Sequence, residues 1–211
     1  MCISVEDLID CFVSKKAEHV GAIVRKRTLV RSKELNGLSV SRSHLWNLAK
    51  AGKIERVGHG LYRAKNATIS TNETVLEVAK RVPLGVLCLS SALRYHELST
   101  ENPFEIWLAV ERGAWTPKLN DHPVRVVHFS KAAFDYGIQT HSVEGGTLRV
   151  YSPAKTVADC FKFRSKVGME TAIQALRAAY REKKATMDDI WRAAKVCRVV
   201  NVIRPYMESL V

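Results

Sequence analysis

Residues 41 to 65, SRSHLWNLAKAGKIERVGHGLYRAK, set a capped helix against a glycine stop and then two short basic segments around Gly58-His59-Gly60. No other stretch constrains the fold as much. Ser41 is a natural N-cap, Val40 and Leu45 take the N′ and N4 places of a hydrophobic staple, and Gly52 suits the position just past a helix end. A helix is therefore expected at roughly 42 to 51. Leu45, Leu48 and Ala49 share one of its faces, while Ser43, Asn47 and Lys50 point the other way with no acid among them. Trp46 falls at the edge of the apolar face and is expected to pack against the hairpin or the first helix. KIERV and GLYRA read as two strands, with Ile54, Val57 and Leu61 available to the interior and Tyr62 also structural.

Charge follows the same pattern. Of a formal net charge of +12 over 211 residues, the span from Arg25 to Lys65 carries eleven Lys and Arg against two acids, a net +9. Such a block is either a solvated face or the footprint of a polyanion. Upstream, Val5, Leu8, Ile9, Phe12 and Val13 line one side of an expected helix over 4 to 16. A second helix is expected from Ala17 to about Arg25, and a short third one from Ser32 to Asn36-Gly37. Helix, short helix, turn, helix and basic two-stranded ribbon is the order of a winged helix-turn-helix domain, here residues 1–66 with an extra N-terminal helix.

The linker AKNATIS, residues 64 to 70, leads into a second domain, 67–211, opened by a helix that Ser70 and Glu73 cap and Pro83 and Gly85 end. Its first half alternates strands at 86 to 89, 105 to 110 and 124 to 130 with a helix at 90 to 98, then forms a hairpin turning at Gly145-Gly146. From Ser152, with Pro153 at N1, the chain is helical at 153 to 163, about 169 to 184, 187 to 198 behind Thr186 as N-cap, and near 200 to 210. Strands first and helices after give an α+β class, with a small sheet and a helical C-terminal tail.

Several functions find no support in the residues. No apolar run approaches the roughly 20 residues that span a bilayer, and MCISVEDLIDCF has acids where a secretory signal needs basic residues, so a cytoplasmic protein without a membrane partner is expected. The five cysteines are scattered without a C-x-x-C pair, and the seven histidines show no H-x-x-x-H spacing, which argues against a metal or other cofactor. No paired carboxylates with a lysine, phosphate loop or nucleophile elbow occurs, so no catalytic residue is assigned. The alternatives are a winged helix that delivers a nuclease-like enzyme to DNA, and a winged helix that contacts protein.

The blocks LWNLAKAGKIERVGHGLYR, LSSALRYHEL and VYSPAKTVADCFKFRSKVG, in that order, resemble the AbiEi family of antitoxins from type IV toxin-antitoxin (abortive infection) systems. The resemblance spans about residues 20 to 205, and the helix at 4 to 16 extends beyond it. It implies a transcriptional regulator whose winged helix binds inverted repeats in its own promoter, as a dimer or cooperative pair. It also implies a C-terminal antitoxin domain that counteracts a cognate nucleotidyltransferase toxin, directly or indirectly.

Helix-turn-helix geometry brings the start of the second helix to base edges, which makes Arg42, Ser43, His44 and Asn47 the candidate readers of double-stranded DNA. Lys50, Lys53 and Arg56 are better placed for phosphate; His59 sits at the wing tip, and Arg63 could meet phosphate or a minor groove. Lys26, Arg27 and Arg31 rank second. In the second domain, Tyr95, His96, Thr156 and Asp159 are the polar positions of interest, with Asp159 expected to bond Thr156 or a nearby amide.

Overall fold

The computed structural model describes residues 29–33, 35, 40–58, 60–65, 71–114, 119, 122–143 and 146–210. The helices expected at 4 to 16 and 17 to 25, the positions Lys26, Arg27 and His59, most of the 64 to 70 linker and the cap at Ser70 lie outside these residues. The fold is mixed α+β, and the chain separates into two compact units. One runs to Lys80 and takes in Ser142–Gly146; the other comprises Arg81–His141 and Thr147–Val211.

In the first unit, β1 (Leu29–Arg31), α1 (Arg42–Lys50), β2 (Ile54–Gly58), β3 (Leu61–Ala64) and most of α2 (Thr71–Arg81) follow in chain order. The strands form an antiparallel sheet in the order β1-β3-β2, pairing Val30 with Tyr62 and Glu55 with Arg63. Ser32, Lys33 and Leu35, where a short helix is expected, have 3-10 conformation. Adjacent β3 residues point to opposite faces. Tyr62 accordingly joins Val30, Leu35, Val40, Leu45, Leu48 and Ile54 in the main core, while Leu61 meets Leu76 of α2 on the other side.

Gly60 has a φ of +68°, and a Cβ there would lie 2.8 Å from the Ser32 hydroxyl. Its carbonyl accepts a 2.8 Å hydrogen bond from the Ser32 amide. Glycine at the hairpin thus has a reason inside the fold, since it alone takes this backbone without a side-chain clash.

The second unit holds β4 (Val86–Leu87), α3 (Leu89–Tyr95), β5 (Ile106–Glu111), β6 (Val124–Phe129), α4 (Lys131–Asp135), β7 (Ile138–Val143), β8 (Gly146–Tyr151), α5 (Pro153–Lys162), α6 (Arg164–Val167), α7 (Met169–Arg181), α8 (Met187–Cys197) and α9 (Val200–Glu208), the hairpin tip counted above excepted. Its sheet runs β6-β5-β4-β8-β7; β5 is parallel to β6, and β4 is antiparallel to β5 and parallel to β8. Helix α5 starts at Ser152, whose hydroxyl accepts from the Lys155 amide, with Pro153 supplying the fixed φ that suits a first turn. Every residue from Ala154 to Phe161 is buried, because α5 packs against α3, α7 and α8. Helix α8 begins with a full capping box between Thr186 and Asp189. Among the described residues no helix is long and apolar enough to cross a membrane.

Candidate nucleic-acid interface

Helix α1 is anchored by local chemistry. The Ser41 hydroxyl accepts from the His44 amide at 3.3 Å and is hydrogen-bonded to His44 Nδ1 at 2.6 Å. His44 therefore helps to hold the cap, and it is only partly exposed. Leu45 and Leu48 bury the inner face. Arg42, Ser43, Asn47 and Lys50 are exposed, and the first turn has no acidic residue to repel a polyanion. These four candidates share the solvent side of one helix.

Trp46 corrects the sequence reading. Rather than packing into the unit, it is 53% exposed. The Lys50 ammonium, one turn on, lies 5.1 Å from its ring centroid. The apolar pattern misled because Leu45 and Leu48 suffice to fill the interior beside Val40 and Ile54.

Beyond the helix, Lys53 and Arg56 are exposed, with Arg56 Nε donating to the Gly58 carbonyl at 3.3 Å. Arg63 is differently placed: Nε and Nη2 both donate to Glu55 Oε2, at 3.1 and 2.7 Å, across the β2-β3 pair. Its side chain is only 16% exposed, so in the free protein its charge is engaged by the strand partner. Arg31 is partly exposed on β1.

The four polar candidates of the second unit have structural partners. His96 Nε2 lies 2.6 Å from the Tyr151 carbonyl, which can only accept, so this nitrogen carries the proton. Thr156 Oγ1 donates to the same carbonyl at 3.2 Å. Tyr95 stacks edgewise on His96 and His141, each at 5.3 Å between centroids. Among the described residues the Asp159 carboxylate bonds neither Thr156 nor an amide: Lys155 Nζ donates to its two oxygens at 2.6 and 2.5 Å, and Cys197 Sγ donates to Oδ1 at 3.3 Å. The pair is sealed from solvent, and sequence reasoning missed it because a lysine is almost never fully buried unless paired.

Burial raises the Asp159 carboxyl above its ordinary value, against the pull of the Lys155 charge and hydrogen bonds. This is a locking contact inside the fold. Nothing about it is open to a substrate.

A surface cavity of about 280 Å³ lies between α3, the loop to β5 and the α6-α7 corner, lined in part by Ser90, Glu101, Glu105, Trp107 and Lys166. Its polar groups are largely spoken for: Glu105 pairs with Arg125 at 2.6 Å, Asn102 accepts from Arg94, and Ser99 accepts from the Glu101 amide. Among the described residues no group of three His, Cys, Asp or Glu is arranged to hold a metal ion.

Comparison with known proteins bears on the same segment. Residues 22–65 match the AbiEi_4 family, described as "Transcriptional regulator, AbiEi antitoxin". The match covers β1, α1 and the β2-β3 hairpin, and with them the exposed Arg42, Lys50, Lys53 and Arg56. No curated protein matches the sequence. Among solved structures, the crystal structure of the RV2827C protein from Mycobacterium tuberculosis is similar at a TM-score of 0.55 and 13% identity, covering 93% of this chain and 80% of that one. The likeness extends over both units and concerns the fold.

Proposed function

We propose that this protein is a DNA-binding transcriptional regulator and antitoxin, acting through a winged helix-turn-helix in its first 66 residues and an antitoxin domain in the remainder. The observation that carries the reading is the exposed, acid-free face of α1, with Arg42, Ser43, Asn47 and Lys50 together, in a unit whose helix leads directly into a basic hairpin. An inner apolar face and an outer basic, amide-bearing one is what a helix needs to sit in a major groove. Support also comes from the β1-β3-β2 order, which ties the hairpin to the strand preceding the helix, and from the regulator family matched over 22–65.

In this reading Arg42 bonds guanine, Asn47 bonds adenine and Ser43 accepts either, while Lys50, Lys53 and Arg56 hold phosphates. His44 reaches the DNA from the cap, His59 approaches it from the wing tip, and Arg63 joins only on leaving Glu55. The sites are inverted repeats in the protein's own promoter, occupied by a dimer or a cooperative pair, so the protein represses its own operon. The remainder of the chain counteracts a cytoplasmic nucleotidyltransferase toxin of a type IV system without enzymatic chemistry of its own.

Two arms test this. Footprinting on DNA upstream of the gene is expected to protect a repeated site. Co-expression with the nucleotidyltransferase encoded beside it is expected to restore growth, including when Arg42 and Asn47 are both replaced by Ala. Protection nowhere, or no rescue by either form, would remove the corresponding half.

A further inference from the structure

We infer that Trp46 is a specificity-determining residue of the proposed DNA interface and reads the C5-methyl group of a thymine; the inference rests on the DNA-binding reading above. At about 100° of rotation per residue, Arg42, Trp46, Lys50, Ser43 and Asn47 follow one another around α1 within an arc of roughly 140°. Leu45 and Leu48 lie on the opposite side and are buried. Trp46 therefore sits inside the candidate reading face, between Arg42 and Lys50.

A single exposed apolar side chain ordinarily needs no explanation. Its position is what gives this one meaning. The other large apolar residues that are mostly exposed among those described, Leu84 and Phe104, stand in loops of the second unit rather than on a helix. Trp46 instead has a cation on its ring, Lys50 Nζ at 5.1 Å, and exposed Arg42 and Asn47 on the same helix surface. A helix presented to a major groove by those charges carries the indole in with them.

The chemistry then selects the contact. Phosphates and most base-edge atoms in that groove are polar, and the apolar feature is the thymine methyl. An indole edge against it removes apolar surface on both partners from water, without stranding a polar group. Lys50 remains over the ring, restraining the indole while its ammonium faces the phosphate backbone.

The test is binding-site selection with the full-length protein from a random-sequence duplex library, followed by titration of the selected duplex with single thymines replaced by deoxyuridine. The wild type is expected to select thymine at one position or more. Removing that methyl should weaken binding about fourfold, the worth of one buried methyl-sized group. Trp46→Ala is expected to bind the thymine and deoxyuridine duplexes equally, and Trp46→Phe to keep part of the preference.

Discrimination retained in Trp46→Ala, or none in the wild type, overturns the inference while leaving operator binding intact. A lower melting temperature for Trp46→Ala with an unchanged selected sequence also overturns it, making Trp46 a packing site for another part of the chain. A wild type that selects no sequence removes the DNA-binding reading, and this inference with it.

Discussion

Lys155 and Asp159, one turn apart on α5, form an ion pair closed off from solvent, with the ammonium 4.2 Å from the Tyr151 ring centroid and 4.7 Å from that of Phe129. Two charges removed from water cost several kcal/mol each, and here the loss is offset by two short hydrogen bonds, two ring faces and the Cys197 thiol. Gly137 closes over the pair; a Cβ there would meet Lys155 Cβ at 2.8 Å.

Removing one partner leaves the other charge stranded. Lys155→Ala or Asp159→Ala is expected to lose about 3–5 kcal/mol of stability in a urea titration, whereas Lys155→Met with Asp159→Leu loses less than either single change. A double variant as unstable as the sum of the singles would contradict this account of the pair.

His96 gives the second unit a pH dependence. Burial lowers its pKa from the ordinary 6.5, and the charges of His141 and Lys184 act the same way, against the hydrogen bond to the Tyr151 carbonyl. The unfolded chain therefore takes up a proton before the folded one does. Stability is complete above about pH 6.5 and is lost as pH falls through the lower folded value. The urea midpoint should drop between pH 7.5 and pH 5.5, and His96→Gln, which keeps an N–H donor, should flatten that drop. Equal slopes in the two proteins would exclude His96 as its source.

Cys88, Cys160 and Cys197 are buried free thiols. Burial pushes all three above the ordinary thiol value, and the nearby Asp159 carboxylate adds to the effect. They are expected to remain protonated and unreactive. Iodoacetamide at pH 8 followed by peptide mapping should leave these positions unmodified in the native protein and alkylate them in urea. Native modification of any of the three would show that the α5 core opens.

What the sequence disclosed, and what it hid, divides by the range of the interactions. The Ser41, Ser152 and Thr186 caps were legible because each joins a hydroxyl to an amide within three residues. In the second unit β4, β5 and β6 were legible from their apolar runs and β7 and β8 as a hairpin about Gly145-Gly146, although the strand expected at 86 to 89 stops at Leu87 and Leu89 already begins a helix. The one-turn helices Lys131–Asp135 and Arg164–Val167 were not, since so short a piece has no period to detect. Trp46 was expected inside and is exposed, whereas Lys155 drew no expectation and is fully buried. The core that Trp46 was expected to join is already filled around Leu45 and Ile54, and the ammonium of Lys155 lies over the ring of Phe129, 26 residues away in the chain, as well as that of nearby Tyr151. The acid that occupies Arg63 was in plain view at Glu55, but the register that brings them together was not.

The exposed face of α1 carries the functional account, and one titration tests it most directly: binding of the purified protein to DNA upstream of its own gene, and to a scrambled duplex of equal length, across a range of salt concentrations. If about six phosphates are neutralised, the logarithm of affinity should fall with the logarithm of salt at a slope near roughly −5. Arg42→Ala with Asn47→Ala should abolish the preference for the upstream DNA while a weaker, salt-sensitive affinity for both duplexes persists. Equal affinity of the wild type for the two duplexes, or an unchanged preference in the double variant, would contradict the assignment of this helix as the reader.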